Sequence, residues 1–78
     1  MDNTKKIIQV LEKINDKIVT YDGNNLVADN IIDSFGVLEI VTSLEDAFDI
    51  IIDSEYIIQE NFENKDTITA LVLKILQK

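Results

Sequence analysis

Three stretches of this sequence repeat apolar residues at intervals of three and four positions, and this periodicity limits the possible fold more than any other feature. Such spacing places apolar side chains on one face of an α-helix. The pattern predicts helices over about residues 4–18 and 34–48, and a last helix that has Asp66 or Thr67 as its N-cap and Lys74 and Lys78 near its end. The apolar positions are Ile7, Val10, Leu11, Ile14 and Ile18, then Val37, Leu38, Val41, Leu44 and Phe48, and finally Ile68, Leu71, Val72, Ile75 and Leu76.

Residues 50–60 give weaker signals. Ile50, Ile51 and Ile52 resemble a short strand, but no second strand candidate exists to pair with them, so they are interpreted as a buried connector. Asp53-Ser54 could cap a short helical turn that extends to Glu60. The predicted fold is therefore all-α, a small bundle of three main helices plus one short helix.

A loop is predicted between the first two long helices. The turn signal is Tyr21-Asp22-Gly23-Asn24-Asn25, and four apolar residues after it should hold the loop on the core, namely Leu26, Val27, Ile31 and Ile32. No proline or repeat divides the chain, so residues 1–78 are expected to form a single domain.

Composition disfavours several functional classes. The chain contains no cysteine and no histidine, which removes disulfides, thiolate metal sites, the commonest metal ligand and the commonest general base. Neither enzymatic activity nor a metal site is therefore expected. A net charge of −8 argues against nucleic-acid binding. Neither a signal peptide nor a membrane-spanning segment is evident, so a cytoplasmic location without membrane insertion is expected.

The acidic residues cluster in the middle of the chain. Ten of them lie between Asp29 and Glu63, and no basic residue occurs from Ile18 to Asn64. On the second long helix, Glu39, Glu45 and Asp46 lie between apolar positions and are expected to be exposed. They could serve only solubility, or they could dock basic patches of partner proteins. The acidic surface also favours a monomer.

The sequence Asp33-Ser34-Phe35-Gly36 stands where this loop meets the second long helix. Asp and Ser are both preferred at helix N-termini, so one interpretation is a helix cap alone. The other is an attachment site, because a phosphate on Ser34 would lie where free N–H groups and the helix dipole favour negative charge.

This motif resembles the Asp-Ser-Leu attachment site of the acyl carrier protein family, with Phe35 in the leucine position. Residues 44–50, Leu-Glu-Asp-Ala-Phe-Asp-Ile, are similar to that family's Leu-Glu-Glu-x-Phe-x-Ile run, and the likeness covers about residues 26–76. The resemblance implies an acyl-carrier-like bundle that carries an acyl group as a thioester, for fatty-acid or related biosynthesis. The group would be borne on 4′-phosphopantetheine attached to Ser34.

Further expectations follow from the resemblance. Asp33 would help a phosphopantetheinyl transferase to load Ser34 from coenzyme A, and Phe35 would contact a partner or the arm. The other partners would be an acyl synthase, a transferase or an adenylating ligase with basic surface patches, met by Glu39, Glu45 and Asp46.

Two alternatives remain open. Gly36 and Ala47 stand where fatty-acid carriers often have acids, and the Asp-Ser-Phe-Gly form with Phe62 looks more like D-alanyl carrier proteins of teichoic acid modification. The alternative from another class is an acidic helical interaction module in which Ser34 is only a cap.

Overall fold

A computed structural model describes residues 3–77, and within them the chain forms four α-helices and no strand. The helices are α1 (Asn3–Ile14), α2 (Asp16–Thr20), α3 (Ser34–Phe48) and α4 (Lys65–Leu76). Two 3-10 turns, Ser54–Tyr56 and Gln59–Phe62, lie between α3 and α4. The predicted all-α bundle with three main helices is confirmed. None of the helices in residues 3–77 has the length and apolar character needed to cross a membrane.

The first predicted helix is broken at Asn15, so its prediction as one continuous element was wrong. Asn15 has an extended backbone (φ −166°, ψ 113°), and its side-chain oxygen accepts a hydrogen bond from the Lys17 N–H at 3.0 Å. Asparagine favours this arrangement because its short side chain competes with the helical hydrogen bonds of the backbone. The chain therefore starts a new helix, α2, which buries Ile18.

Helix α3 has the predicted bounds because both of its ends carry local signals. Asp33 is the N-cap, with an extended backbone and a side chain that bonds to the first turn. Asp49 ends the helix in the left-handed conformation (φ 53°), and its N–H donates to the Glu45 carbonyl. A short polar side chain tolerates that conformation better than most others.

Helix α4 begins two or three residues before the predicted start, because its N-cap is Asn64 instead of Asp66 or Thr67. The Asn64 side-chain oxygen accepts the N–H groups of Asp66 at 2.9 Å and of Thr67 at 3.0 Å. The Thr67 hydroxyl accepts the Asn64 N–H at 3.2 Å, which completes a reciprocal capping box.

The core lies where α1 packs against α3 and α4. It contains twelve buried apolar side chains and, among the described residues, no buried polar one. The three phenylalanines differ in burial, because Phe62 is buried and Phe48 packs partly against the core, whereas Phe35 is 81% exposed. The buried residues are Ile7, Leu11, Ile18, Leu26, Ile40, Val41, Leu44, Ile52, Phe62, Ile68, Leu71 and Val72.

The connector after α3 is only partly buried. Ile52 lies in the core at 4% exposure, whereas Ile51 is 78% exposed. The prediction that all three isoleucines are buried was therefore wrong for Ile51. In an extended segment, adjacent side chains point to opposite sides, so burial of Ile52 turns Ile51 towards solvent.

The loop before α3 is held on the core as predicted. Leu26 is fully buried, and its N–H donates to the Glu63 carbonyl at 2.9 Å. The Asn64 side chain also donates to the Gly23 carbonyl at 3.3 Å. These bonds join the loop to the start of α4 and fix the point from which the chain enters α3.

Tyr21 organises the first half of this loop. Its hydroxyl accepts the Asn25 N–H at 2.7 Å and donates to an Asp29 carboxylate oxygen at 2.5 Å. A Cβ atom at position 23 would overlap the Tyr21 hydroxyl, so a larger residue there would displace the Tyr21 ring. Burial and the hydrogen bond to Asp29 raise the pKa of the Tyr21 phenol above its ordinary value of 10.0.

We expect the stabilisation by Tyr21 to be present below about pH 10, the pKa of the unfolded phenol, and to be lost as pH rises through the higher folded pKa. Urea unfolding of wild type and Tyr21→Phe between pH 7 and 11 measures this. Wild type should be the more stable protein at pH 7, and its advantage should shrink above pH 10. An advantage that stays constant across this range would contradict the assignment.

Candidate functional site

Ser34 is the first residue of α3 and is exposed to solvent. The preceding residue provides the cap, because Asp33 Oδ1 accepts the Gly36 N–H at 2.9 Å. Within residues 3–77 no hydrogen bond involves the Ser34 hydroxyl. Asp33 therefore caps the helix, and the Ser34 hydroxyl is left accessible for modification.

Of the four N–H groups in the first turn of α3, two are bonded and two are free. The Gly36 N–H is bonded to the Asp33 side chain, and the Val37 N–H donates to the Asp33 carbonyl at 3.1 Å. The N–H groups of Ser34 and Phe35 have no acceptor in the part of the chain that the structure describes. Such free donors at the positive end of the helix dipole favour an anion.

Gly36 is required by the path of the loop. A Cβ atom at this position would lie 2.9 Å from the Ile32 Cβ, closer than real side chains approach one another. Ile32 belongs to the segment that enters α3, and it is half-buried against the core. The glycine therefore lets the loop cross the first helical turn, which gives a structural reason for the absence of an acid at position 36.

An apolar groove of about 260 Å³ lies beside the first turn of α3. Val37, one turn after Ser34, forms part of its wall. The rest of the lining comes from the loop before α3, from the residues between the two 3-10 turns and from the second of these turns. The apolar groove is lined by Val27, Ala28, Val37, Ile57, Ile58, Gln59 and Phe62.

The spacing of residues along α3 places Ser34 on the same side of the helix as Glu45, which contacts the connector after α3. Leu38 and Glu45 follow Ser34 by four and eleven positions, so all three share one side. The prediction that Glu45 is exposed was wrong, because Glu45 is half-buried there and its Oε2 accepts the Ile52 N–H at 2.8 Å. The carboxylate thus holds the connector against α3.

The outer face of α3 combines acidic and apolar side chains. Glu39 and Asp46 are exposed there, as the sequence predicted. Phe35 is 81% exposed, and Leu38, which the periodicity assigned to the apolar face, is 53% exposed. Glu39, Asp46 and Phe35 are accessible to a partner, whereas Glu45 also holds the connector.

Sequence reasoning missed the groove residues Val27 and Ile58 as candidates. Ile58 is 46% exposed, and the apolar pair at positions 57–58 was the available signal. No group of three or more carboxylates within residues 3–77 is arranged to hold a metal ion.

Comparison of the chain with protein-family models, with curated proteins and with solved structures yields no match. The geometry around Ser34 is therefore the basis on which a function can be inferred. It consists of an exposed hydroxyl, two free N–H groups and an adjacent apolar groove.

Proposed function

We propose that this chain is a non-catalytic carrier protein that is modified on Ser34 with 4′-phosphopantetheine and delivers an acyl or related group to partner enzymes. The observation that carries the proposal is the exposed Ser34 hydroxyl at the start of α3, next to free backbone donors and an apolar groove. A cytoplasmic location and use in fatty-acid or related biosynthesis are part of the proposal.

The residues present fit a phosphodiester on Ser34. The free N–H groups of Ser34 and Phe35 can donate to phosphate oxygens, and the fifteen-residue helix adds a favourable dipole. The Asp33 carboxylate opposes the phosphate charge, but its Oδ1 is already bonded to the Gly36 N–H. The free N–H groups of Ser34 and Phe35 would offset the repulsion between the phosphate and this carboxylate.

The apolar groove fits the remainder of an attached arm. Val37 lies one turn from Ser34, and Ile57 and Ile58 also line the groove. Contact between the arm and these side chains would bury apolar surface, which is favourable by about 25 cal/mol for each Å² removed from water. When attached, the arm supplies the thiol that carries an acyl group as a thioester, whereas the chain itself contains no cysteine.

The partners would be a phosphopantetheinyl transferase and then an acyl synthase, a transferase or an adenylating ligase with basic surface patches. Glu39, Glu45 and Asp46 are the proposed docking acids, with Phe35 as an exposed apolar contact beside Ser34. Charge complementarity of this kind raises association rates and orients the complex without requiring tight binding. The cargo is proposed to be an acyl group, with a D-alanyl group as the alternative.

The test is loading by a broad-specificity phosphopantetheinyl transferase with coenzyme A and Mg²⁺, followed by mass spectrometry of the intact protein. Wild type should gain the mass of one arm, and Ser34→Ala should gain none. The chain provides its own control in Asp53-Ser54, a second Asp-Ser pair that precedes only a three-residue 3-10 turn.

Ser54→Ala should therefore be loaded as wild type is. No mass gain by wild type would reject the carrier function and favour an interaction module without a prosthetic group. If Ser34→Ala gains the mass of the arm and Ser54→Ala does not, the arm is attached to Ser54 instead of Ser34.

A further inference from the structure

Leu26 connects the start of α4 to the start of α3 through its backbone. Its N–H donates to the Glu63 carbonyl at 2.9 Å, and its carbonyl accepts the N–H groups of Ile31 at 2.9 Å and of Ile32 at 3.3 Å. Glu63 is the last residue before the cap of α4, and Ile32 lies two residues before Ser34. These three bonds, here called the Leu26 relay, therefore join the two helix starts.

The Asn64 side chain makes two separate contributions where the Leu26 relay begins. Its oxygen caps α4 by accepting the N–H groups of Asp66 and Thr67. Its Nδ2 group donates to the Gly23 carbonyl at 3.3 Å, which ties the loop before α3 to the start of α4. Because the cap and the tie use different atoms of one amide, a substitution can remove the tie and keep the cap.

The other end of the Leu26 relay contacts the first turn of α3. Ile32 is half-buried against the core, and a Cβ atom at position 36 would lie only 2.9 Å from the Ile32 Cβ. Since the two segments are in such close contact, a displacement of Ile32 moves the first turn of α3 as well. The Ser34 hydroxyl makes no hydrogen bond within residues 3–77, so its position depends on the backbone of this turn.

We infer that Asn64 is a positioning residue for the loading of Ser34. Its bond to the Gly23 carbonyl holds the loop in place, and the Leu26 relay then holds the first turn of α3 where the transferase requires the Ser34 hydroxyl. A small misplacement of a reacting group lowers the rate of a transfer reaction even when the substitution lies far from the chemistry. This inference rests on the proposed carrier function, and it assigns to Asn64 an effect that is separate from docking.

Asn64→Asp tests the tie because aspartate keeps the cap but replaces the amide donor with an oxygen that repels the Gly23 carbonyl. We expect an unchanged midpoint of urea unfolding. The N–H groups of Ile31 and Ile32 should exchange with solvent about 5–10-fold faster, because the loop opens more often. The kcat for loading of Ser34 should fall about 3–10-fold at an unchanged KM. Asn64→Ser, which also caps the helix without adding charge, should change both rates in the same direction.

Two controls separate the tie from charge and from stability. Asn3→Asp makes the same chemical change at the exposed start of α1, and Val72→Ala lowers stability by truncating a fully buried side chain of α4. Both should be loaded with the wild-type kcat. Wild-type loading or wild-type exchange in both Asn64 variants would overturn the inference, and so would an equal loading defect in either control. If wild type itself is not loaded, the proposed carrier function fails, which is a different result from these.

Discussion

Leu44→Ala is expected to lower the free energy of unfolding by about 2–5 kcal/mol, because the leucine is fully buried in the centre of α3 and its removal leaves a cavity. A domain of 78 residues has a total stability of about 4–12 kcal/mol. The variant should therefore lose about half of its stability or unfold, as measured by urea denaturation followed by circular dichroism.

Leu38→Ala is the matched control for this substitution. It makes the same chemical change in the same helix, but Leu38 is 53% exposed, and we expect a change within about 0.5 kcal/mol. Similar losses of stability in the two variants would contradict the orientation of α3 in which Leu44 faces the core and Leu38 faces solvent.

The helices could be predicted because their signals are local. In α3 the apolar spacing defines the interior, Asp33 caps the start, and the predicted bounds of 34–48 match those observed. The break at Asn15 could not be predicted from periodicity, since Ile14 and Ile18 keep a spacing of four across it. At the break the Lys17 N–H donates to the Asn15 side chain, and a bond of this kind competes with the helical hydrogen bonds of the backbone.

The start of α4 illustrates a different limit. Asn64, Asp66 and Thr67 all favour capping positions, so composition alone leaves several registers possible. The tie between the Asn64 side chain and the Gly23 carbonyl comes from a loop far away in the sequence. This tertiary contact involves the residue that becomes the N-cap, and the local sequence around α4 does not reveal it.

The candidate site divides in the same way. The position of Ser34 at the first turn of α3 follows from neighbouring residues and was predicted. The apolar groove was not predicted, because Val27, Val37 and Ile58 come from three separate segments that meet only in the folded chain. The bond between Glu45 and the Ile52 N–H also joins separate elements. Its consequence is that replacement of Glu45 tests both docking and the connector, whereas Glu39 and Asp46 test docking more directly.

Asp33→Asn is expected to slow loading of Ser34 by a phosphopantetheinyl transferase about 10–100-fold, the effect of losing a charged contact of about 1.5–3 kcal/mol. This follows from the proposed carrier function, in which the Asp33 carboxylate helps to position metal and substrate in the transferase. Asparagine caps helices about as well as aspartate, so the bond to the Gly36 N–H and the stability should be kept.

Asp33→Ala and Asp53→Asn separate the two roles of Asp33. Alanine removes both cap and charge, and should cost about 1 kcal/mol of stability in addition to slow loading. Asp53→Asn removes a charge from the other Asp-Ser pair, where no side-chain cap bond exists, and should leave the loading rate unchanged. If Asp33→Asn is loaded at the wild-type rate while Asp33→Ala is slow, Asp33 acts on loading only through the helix cap, and its carboxylate charge has no part in the transferase complex.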